Sequence, residues 1–260
     1  MNPLPPAVVV RNGYPTTDGK PMAETEQHRD DMIALIDALK YFYRDEPLVH
    51  VSGNLLMFYE PGNKRRHISP DVFVVKGVDK RVRENYLVWE EKAPDVVIEL
   101  TSSTTRREDT DKKFKLYRDR LKVKEYFLFD PKGDYLDPSL QGYRLRGGQY
   151  RPIRPLRGRM PSRVLGLHLE RSGEWLRLYD PETGVWVPTS QERAALEASA
   201  RRQAEEVARQ AAEARHQAEQ SARRAEQSAR QAEENARQAE AEAERLRREN
   251  EELRRQLGTP

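Results

Sequence analysis

Two strand-like segments of this chain carry acidic residues among apolar ones: Ser69-Pro70-Asp71-Val72-Phe73-Val74-Val75 and Asp95-Val96-Val97-Ile98-Glu99-Leu100. The apolar run of the second segment predicts a central β-strand that is covered on both faces. An ionised carboxylate is costly among apolar neighbours unless it is paired, hydrogen-bonded or bound to a metal. Asp71 and Glu99 therefore indicate where a functional site is to be sought.

A helix is predicted directly after the second segment. Thr105-Arg106-Arg107-Glu108 fits a capping box, and the helix is expected to continue to about Leu121. Asp109, Lys113 and Tyr117 follow one another at i, i+4 spacing, so they share one line along this helix. The alternative, an ordinary exposed pair of Asp109 and Lys113, stays open.

Asp71, Glu99 and Lys113 together suit a magnesium-dependent phosphodiesterase. Carboxylate oxygens are hard ligands of the kind that Mg²⁺ prefers, and a nearby lysine adds positive charge for a phosphate. The sequence thus predicts a metal-dependent site at the end of the Glu99 strand.

An earlier helix is predicted from Met22 to Tyr43. Its inward stripe has three- and four-residue spacing. Extended backwards, the stripe reaches His28 and Glu24, which are supporting candidates for the site. Glu26 competes with Glu24, a helix N-terminus favours acidic residues in any case, and a lone histidine is also common in a structural role.

The composition predicts three segments. Every Phe, Trp and Tyr of the 260-residue chain precedes residue 191, so only that part can fold around a sizeable core. We predict an extended N-terminal arm (1–21), a globular domain (22–190) and a helical tail (191–260). Helices and strands alternate in the globular part, which predicts an α/β or α+β sheet with helices on its faces.

Charge and cysteine content restrict the partners and the compartment. The net charge of +3 is too small to indicate a polyanion partner, and the absence of cysteine excludes disulfides and thiolate chemistry. Arg106, Arg107 and Lys112 are candidates for contacts to a nucleic-acid backbone, with solvated loop charge as the alternative. No apolar run reaches the ~18 residues of a membrane span, and we expect a cytoplasmic protein.

The tail carries a heptad pattern. From Ala222 to Leu257 apolar residues alternate spacings of three and four, with Asn250 on the seam, which predicts a coiled coil. An earlier seam through Val207 joins it by a stutter. We expect a homodimer through this tail, against the alternative of a solvated single helix.

The globular part resembles the Uma-type restriction endonuclease family of the PD-(D/E)XK nuclease superfamily. Four elements carry the resemblance, which covers roughly residues 22–180: Pro70-Asp71, Val97-Ile98-Glu99-Leu100-Thr101-Ser102, Asp109-x-x-x-Lys113-x-x-x-Tyr117, and Glu125-Tyr126-Phe127-Leu128-Phe129-Asp130-Pro131.

The resemblance implies a restriction-endonuclease-like core of mixed β-sheet flanked by helices, followed here by the long C-terminal helix. It implies that Asp71 and Glu99 hold Mg²⁺ or Mn²⁺, that Lys113 assists the attacking water, and that nucleic acid, with DNA expected, is the substrate. Asp109, Tyr117 and Ser102 are supporting candidates.

The chain departs from the superfamily motif at Thr101, where the lysine of (D/E)XK would stand. In the Uma-type proteins a lysine on the following helix takes that place, and by spacing it corresponds to Lys113, with Lys112 as the second choice. The turn after Glu99 reads Ser102-Ser103-Thr104-Thr105 and lacks the proline of the family.

Two other functions remain open at this point. One is a catalytically silent DNA-binding or assembly module that oligomerises through the coiled coil. The other is a small-molecule hydrolase that uses the acidic pair as general acid and base, which nothing else in the sequence supports.

If the tail dimerises, a chain that ends at Thr189 is expected to form a smaller assembly than the full chain, because the heptads are lost. Light scattering coupled to size-exclusion chromatography measures both masses. Identical oligomeric states would contradict dimerisation by the tail.

Overall fold

In a computed structural model, the chain divides into two compact units, Met1–Arg193 and Ala194–Pro260. The structure describes residues 10–11, 13–17, 25–101, 108–256 and 258.

Strands predominate in the first unit. Along the described part of the chain, the elements are β1 (Val10–Arg11), β2 (Tyr14–Pro15), α1 (Glu26–Phe42), β3 (Val49–Ser52), β4 (Met57–Phe58), β5 (His67–Ile68), β6 (Val72–Lys76), β7 (Tyr86–Leu87), β8 (Val96–Leu100), two π-helical segments (Glu108–Lys113 and Leu116–Arg120), β9 (Glu125–Phe129), β10 (Leu140–Arg146), β11 (Gln149–Pro152), β12 (Met160–Ser162), β13 (Leu167–Ser172), β14 (Trp175–Asp180), β15 (Val185–Trp186) and α2 (Ser190–Gln256).

The central sheet is mixed. Its described strands follow the order β11-β10-β9-β8-β6-β3, in which β8 runs parallel to β9 and antiparallel to β6. Every residue of β8 is buried, and its side chains alternate between two cores. The prediction of a central strand covered on both faces is confirmed, as is the mixed α/β fold class.

The two faces of the central sheet are covered differently. On one face Ile98 packs in a core with α1 and with the antiparallel sheet β12-β13-β14-β15. On the other, Val97 packs in a core with Tyr117 and Leu121 from the helical region after β8. A third group of described strands, in the order β5-β4-β7, forms a small separate sheet.

Helix α1 has the predicted inward stripe. Met32, Leu35, Leu39 and the following Tyr43 are buried. Thr25 caps the helix by accepting a hydrogen bond from the backbone N–H of His28, at 3.2 Å. His28 therefore lies in the first turn, where the stripe becomes polar.

The helix after β8 differs from the prediction of a regular α-helix. The Leu121 N–H donates to the carbonyl of Leu116, five residues earlier, which is the π-helical pattern. The wider winding still places Tyr117 and Leu121 in the core, whereas Phe114 is only partly buried. The predicted capping residue, Thr105, lies outside the described residues.

The described part of the predicted N-terminal arm is a short hairpin of β1 and β2. Tyr14 packs against the rings of Phe58 and Trp89, and its hydroxyl accepts a hydrogen bond from the Gly62 N–H. This aromatic contact ties the hairpin to the small sheet.

The second unit consists of the long helix α2 beyond Arg193. Its described side chains are exposed, including Leu246 and Leu253 of the heptad seam, and Arg–Glu pairs such as Arg230–Glu226 lie along its surface. Its assembly as a coiled coil stays a prediction. Among the described residues, no helix combines the length and the apolar character needed to cross a membrane.

Asp31 is a buried carboxylate on α1 that gives a prediction about pH and stability. Its Oδ2 accepts a hydrogen bond from Gln27, whereas its Oδ1 accepts none from any described residue. Burial raises the pKa of Asp31 from 3.8 to about 6. Between these two values the folded protein holds a proton that the unfolded chain has released, so stability falls as pH rises through this range.

Asp31→Asn is therefore expected to raise the free energy of unfolding by about 1–3 kcal/mol at neutral pH, with little effect at pH values below the range. Chemical denaturation across pH measures this. Asp30→Asn is the control, because the Asp30 side chain is 45% exposed. A neutral-pH stability of Asp31→Asn at or below that of the parent would contradict the prediction.

Candidate active site

The register of two strands brings Asp71 and Glu99 together. Strands β6 and β8 are antiparallel with Val72 opposite Ile98, so the next position along places Asp71 opposite Glu99 on the same face. The Asp71 N–H donates to Glu99 Oε2 at 3.3 Å, and the Leu100 N–H donates to Asp71 Oδ2 at 2.7 Å. These reciprocal bonds fix both carboxylates side by side at one end of the paired strands β6 and β8.

The backbone at Gly53 packs directly against the backbone of Asp71. Gly53, which follows β3, lies so near that a Cβ there would overlap the Asp71 carbonyl oxygen. The neighbouring Asn54 N–H donates to the carbonyl of Pro70 at 2.8 Å. A residue without a side chain is therefore required at position 53 for Asp71 to keep its place.

The π-helical segments supply the partners of Glu99. Lys113 Nζ lies 2.9 Å from Glu99 Oε2 and 2.9 Å from Asp109 Oδ1. The Tyr117 hydroxyl donates to Glu99 Oε1 at 2.6 Å, and the Tyr126 hydroxyl donates to the backbone carbonyl of Asp109 at 3.0 Å. Glu99, Asp109 and Tyr117 are buried, whereas the Lys113 side chain keeps 12% of its surface exposed.

His28 joins the site from α1. Its Nε2 lies 3.4 Å from Asp71 Oδ1, and both side chains are 14% exposed. Glu26, which competed with Glu24 in the sequence, is 84% exposed and contacts Arg29, so it does not lie in the cluster.

Burial and charge push the pKa values of the two carboxyls in opposite directions. Burial raises the pKa of Glu99 well above its usual value, and the charge of Lys113 opposes this only in part. Burial also acts to raise the pKa of Asp71, but the contact with His28 and the charge of Lys113 outweigh it and hold that pKa below its usual range. Glu99 is therefore the first of the two to take up a proton as pH falls.

Lys113 and Tyr117 keep their protons in this setting. Burial disfavours the Lys113 ammonium, but the carboxylates of Glu99 and Asp109 outweigh it and hold the lysine pKa above its usual range. Burial raises the pKa of Tyr117 well above its usual value, and Glu99 raises it further. Lys113 is thus a fixed cation and Tyr117 a fixed donor.

One residue named from the sequence, Lys112, lies outside the cluster around Glu99, and its side chain is exposed. Four others lie outside the described residues: Glu24, Ser102, Arg106 and Arg107.

Thr101 and Tyr135 lie beside the cluster, and the sequence assigned a role to neither of them. Thr101 is buried, and its hydroxyl has no hydrogen-bond partner among the described residues. Its backbone carbonyl accepts a hydrogen bond from the Tyr135 hydroxyl. Tyr135 comes from the loop after β9, and only the parallel pairing of β8 with β9 brings that loop to this end of the sheet.

The donor set suits a divalent cation with hard-ligand preference. Mg²⁺ is usually held by one or two carboxylates, with waters and substrate oxygens completing its shell. Asp71 and Glu99 supply two such carboxylates side by side. Within the described ranges no group of three or more His, Asp or Glu side chains is arranged to hold a metal.

Comparisons with known proteins found a matching family model and a similar solved structure. Residues 14–178 match the model of the family Uma2, described as "Putative restriction endonuclease". A solved structure, described as "a putative nuclease belonging to DUF820 from Anabaena variabilis ATCC 29413", is 17% identical, with a TM-score of 0.42, over 60% of this chain and 85% of that one. No curated protein matches this chain.

Lys113→Met is expected to lower the free energy of unfolding by about 3–5 kcal/mol at neutral pH, because it leaves buried carboxylates without their cation. The loss is expected to shrink at acidic pH, where Glu99 takes up a proton. Thermal and chemical denaturation measure both effects. Lys112→Met is the matched control, since that side chain is exposed, and equal losses in the two variants would contradict the prediction.

Proposed function

Because the chain belongs to the Uma2 family, we propose that it is a metal-dependent endonuclease that hydrolyses phosphodiester bonds of nucleic acid, with DNA as the expected substrate. The observation that carries the proposal is the contact of Lys113 Nζ with Glu99, whose carboxylate lies beside that of Asp71. Two carboxylates and a desolvated lysine suit a divalent cation and an anionic phosphate.

Asp71 and Glu99 would hold Mg²⁺ or Mn²⁺. A bound divalent ion supplies charge stabilisation at the phosphate and lowers the pKa of a bound water. The depressed pKa of Asp71 keeps one ligand ionised down to acidic pH. Glu99 must release its proton to act as the second ligand, so ion binding is expected to weaken as pH falls.

Lys113 would orient the attacking water and bind an oxygen of the scissile phosphate. It does so from the helical region after β8 and not from position 101, where the strand carries Thr101. Its charge is retained because two carboxylates lie within 2.9 Å of Nζ. A cation that is already desolvated and fixed needs little reorganisation when negative charge develops nearby, so the free-energy cost of that reorganisation is small.

Asp109, Tyr117 and His28 are proposed as positioning residues. Asp109 holds Lys113 from the preceding turn, and Tyr117 fixes the rotamer of Glu99 through Oε1. His28 contacts the Oδ1 of Asp71, the oxygen that does not accept from Leu100. Each of them limits the freedom of a group that would act on the substrate.

Nucleic-acid contacts near the cleavage site are assigned to Lys112, Arg106 and Arg107. Lys112 is exposed and adjacent to Lys113, which suits a contact to a phosphate that flanks the scissile one. A homodimer formed through α2 would tether two such sites, which is one way in which a nuclease can cut both strands of a duplex.

The test is cleavage of supercoiled plasmid with Mg²⁺ or Mn²⁺. Asp71→Asn and Glu99→Gln are expected to lower the rate by at least about 10²-fold, because each removes a charged ligand or stabilising group. EDTA is expected to abolish cleavage by the parent protein. Asp111→Asn is the control, a carboxylate on the π-helical segment Glu108–Lys113 that pairs with Lys115 on the surface.

Full activity in EDTA, or unchanged rates in both site variants, would contradict the proposal. Absence of cleavage by the parent protein, together with absence of metal binding by calorimetry, would favour a nucleic-acid-binding or assembly module.

A further inference from the structure

We propose that a groove lined by Arg144, Arg146, Arg151, Arg154 and Arg163 is a second nucleic-acid site, which binds phosphate backbone away from the cleavage site. The inference rests on the proposed function in taking nucleic acid as the ligand. The groove has a volume of about 280 Å³ and lies along β10, β11 and the end of β12.

Four of the five arginines of the groove have no ion pair within the described part of the chain, unlike many arginines elsewhere in the first unit. Among the described residues, no carboxylate forms an ion pair with Arg146, Arg151, Arg154 or Arg163, and all four are exposed. Arginines elsewhere in the first unit commonly pair with carboxylates, as the following do: Arg29, Arg44, Arg66, Arg81, Arg83, Arg118, Arg120, Arg159, Arg177 and Arg193.

Like charges face one another directly in this part of the sheet. Arg144 on β10 is paired in register with Arg151 on β11. Like charges at directly opposite positions destabilise a sheet, and only Arg144 has a compensating carboxylate, Glu125, at 2.7 Å. An anion bound between the strands would relieve this repulsion.

The groove is held on a rigid frame. Glu125 is buried, and its carboxylate also accepts hydrogen bonds from Ser162 and from the N–H of Arg163. Arg144 donates to the carbonyl of Pro161 at 3.2 Å, which joins the central sheet to β12. The arginines are thus presented by strands that are linked to each other, which limits the entropy cost of binding an anion.

The groove is separate from the Asp71–Glu99 cluster. Glu99 is in register with Leu128, Leu128 is in register with Gln141, and Arg144 is three residues further along β10. Strand spacings place the Glu99 and Arg144 backbones about 14 Å apart. The odd offset puts the two side chains on opposite faces of the sheet.

Nucleic acid fits the groove better than a single small anion. Four guanidinium groups without a carboxylate partner among the described residues lie on β10, on β11 and just after β11 and β12. They offer several separate contacts, which a repeating phosphate backbone can fill together. Guanidinium groups bind phosphate through planar, bidentate hydrogen bonds. Such contacts anchor the polymer without reading its sequence.

The experiment measures binding of a fluorescein-labelled DNA duplex to the full chain in EDTA, so that no cleavage occurs, over a range of salt concentrations. The test variant carries Arg146→Gln, Arg151→Gln and Arg154→Gln. The control carries Arg44→Gln, Arg65→Gln and Arg157→Gln, which remove the same charge from exposed positions outside the groove. Thermal unfolding checks that both variants fold like the parent.

The groove variant is expected to bind at least about tenfold more weakly than the parent at low salt, with a slope of log affinity against log salt that is shallower by about 2–3. The control is expected to stay close to the parent in both quantities. Equal weakening of the two variants would overturn the proposal, because it would reflect net charge alone.

Inorganic phosphate separates the polymer from a small anion. Titration of phosphate against the parent is expected to show weak competition with the duplex. Tight phosphate binding that the groove variant abolishes, with duplex affinity unchanged, would overturn the proposal in favour of a small-anion site.

Failure of the nuclease proposal would be distinguishable from failure of this one. If the parent protein cleaves nothing but its duplex binding depends on the groove arginines, the groove proposal is supported and the nuclease proposal is contradicted. If the parent protein cleaves DNA but the groove substitutions leave duplex binding unchanged, the groove proposal is contradicted and the nuclease proposal is supported.

Discussion

The buried carboxylate of Glu99 is the constraint on which the first unit depends. It lies on the central strand β8 with no exposed surface, and it accepts hydrogen bonds from Lys113, from the Tyr117 hydroxyl and from the Asp71 N–H. A charge in that position is costly unless such donors compensate it. The central sheet and the π-helical segments are therefore held in one relative arrangement by a polar cluster as well as by their apolar cores.

The same arrangement prepares the groups for chemistry. Asp71 and Glu99 are neighbours, yet burial raises the pKa of Glu99, whereas the contact with His28 and the charge of Lys113 hold the pKa of Asp71 below its usual range. Environments that separate two titratable groups in this way are typical of acid–base and metal sites. The chain belongs to the Uma2 family, and this membership supports the proposal that the cluster is a nuclease site.

The cationic side chains of the first unit lie in two physically different environments. Lys113 is nearly buried, lies against two carboxylates and has limited freedom, which suits a role at a reacting phosphate. Arg146, Arg151 and Arg154 are exposed without ion-pair partners among the described residues, which suits reversible, salt-sensitive contacts to a backbone. Separating the two functions on opposite faces of one sheet would allow a polymer to be held independently of its cleavage.

The sequence by itself determined the central strand, the inward stripe of α1 and the family, because periodicity and the order of motifs are local properties. It did not determine the π-helical winding after β8 or the approach of His28 to Asp71. Those outcomes depend on strand register and on packing between residues distant in the chain. The i, i+4 line with Asp109 and Tyr117 already favoured Lys113 over Lys112, but only packing against β8 in the tertiary structure decides that Lys113 is the desolvated lysine.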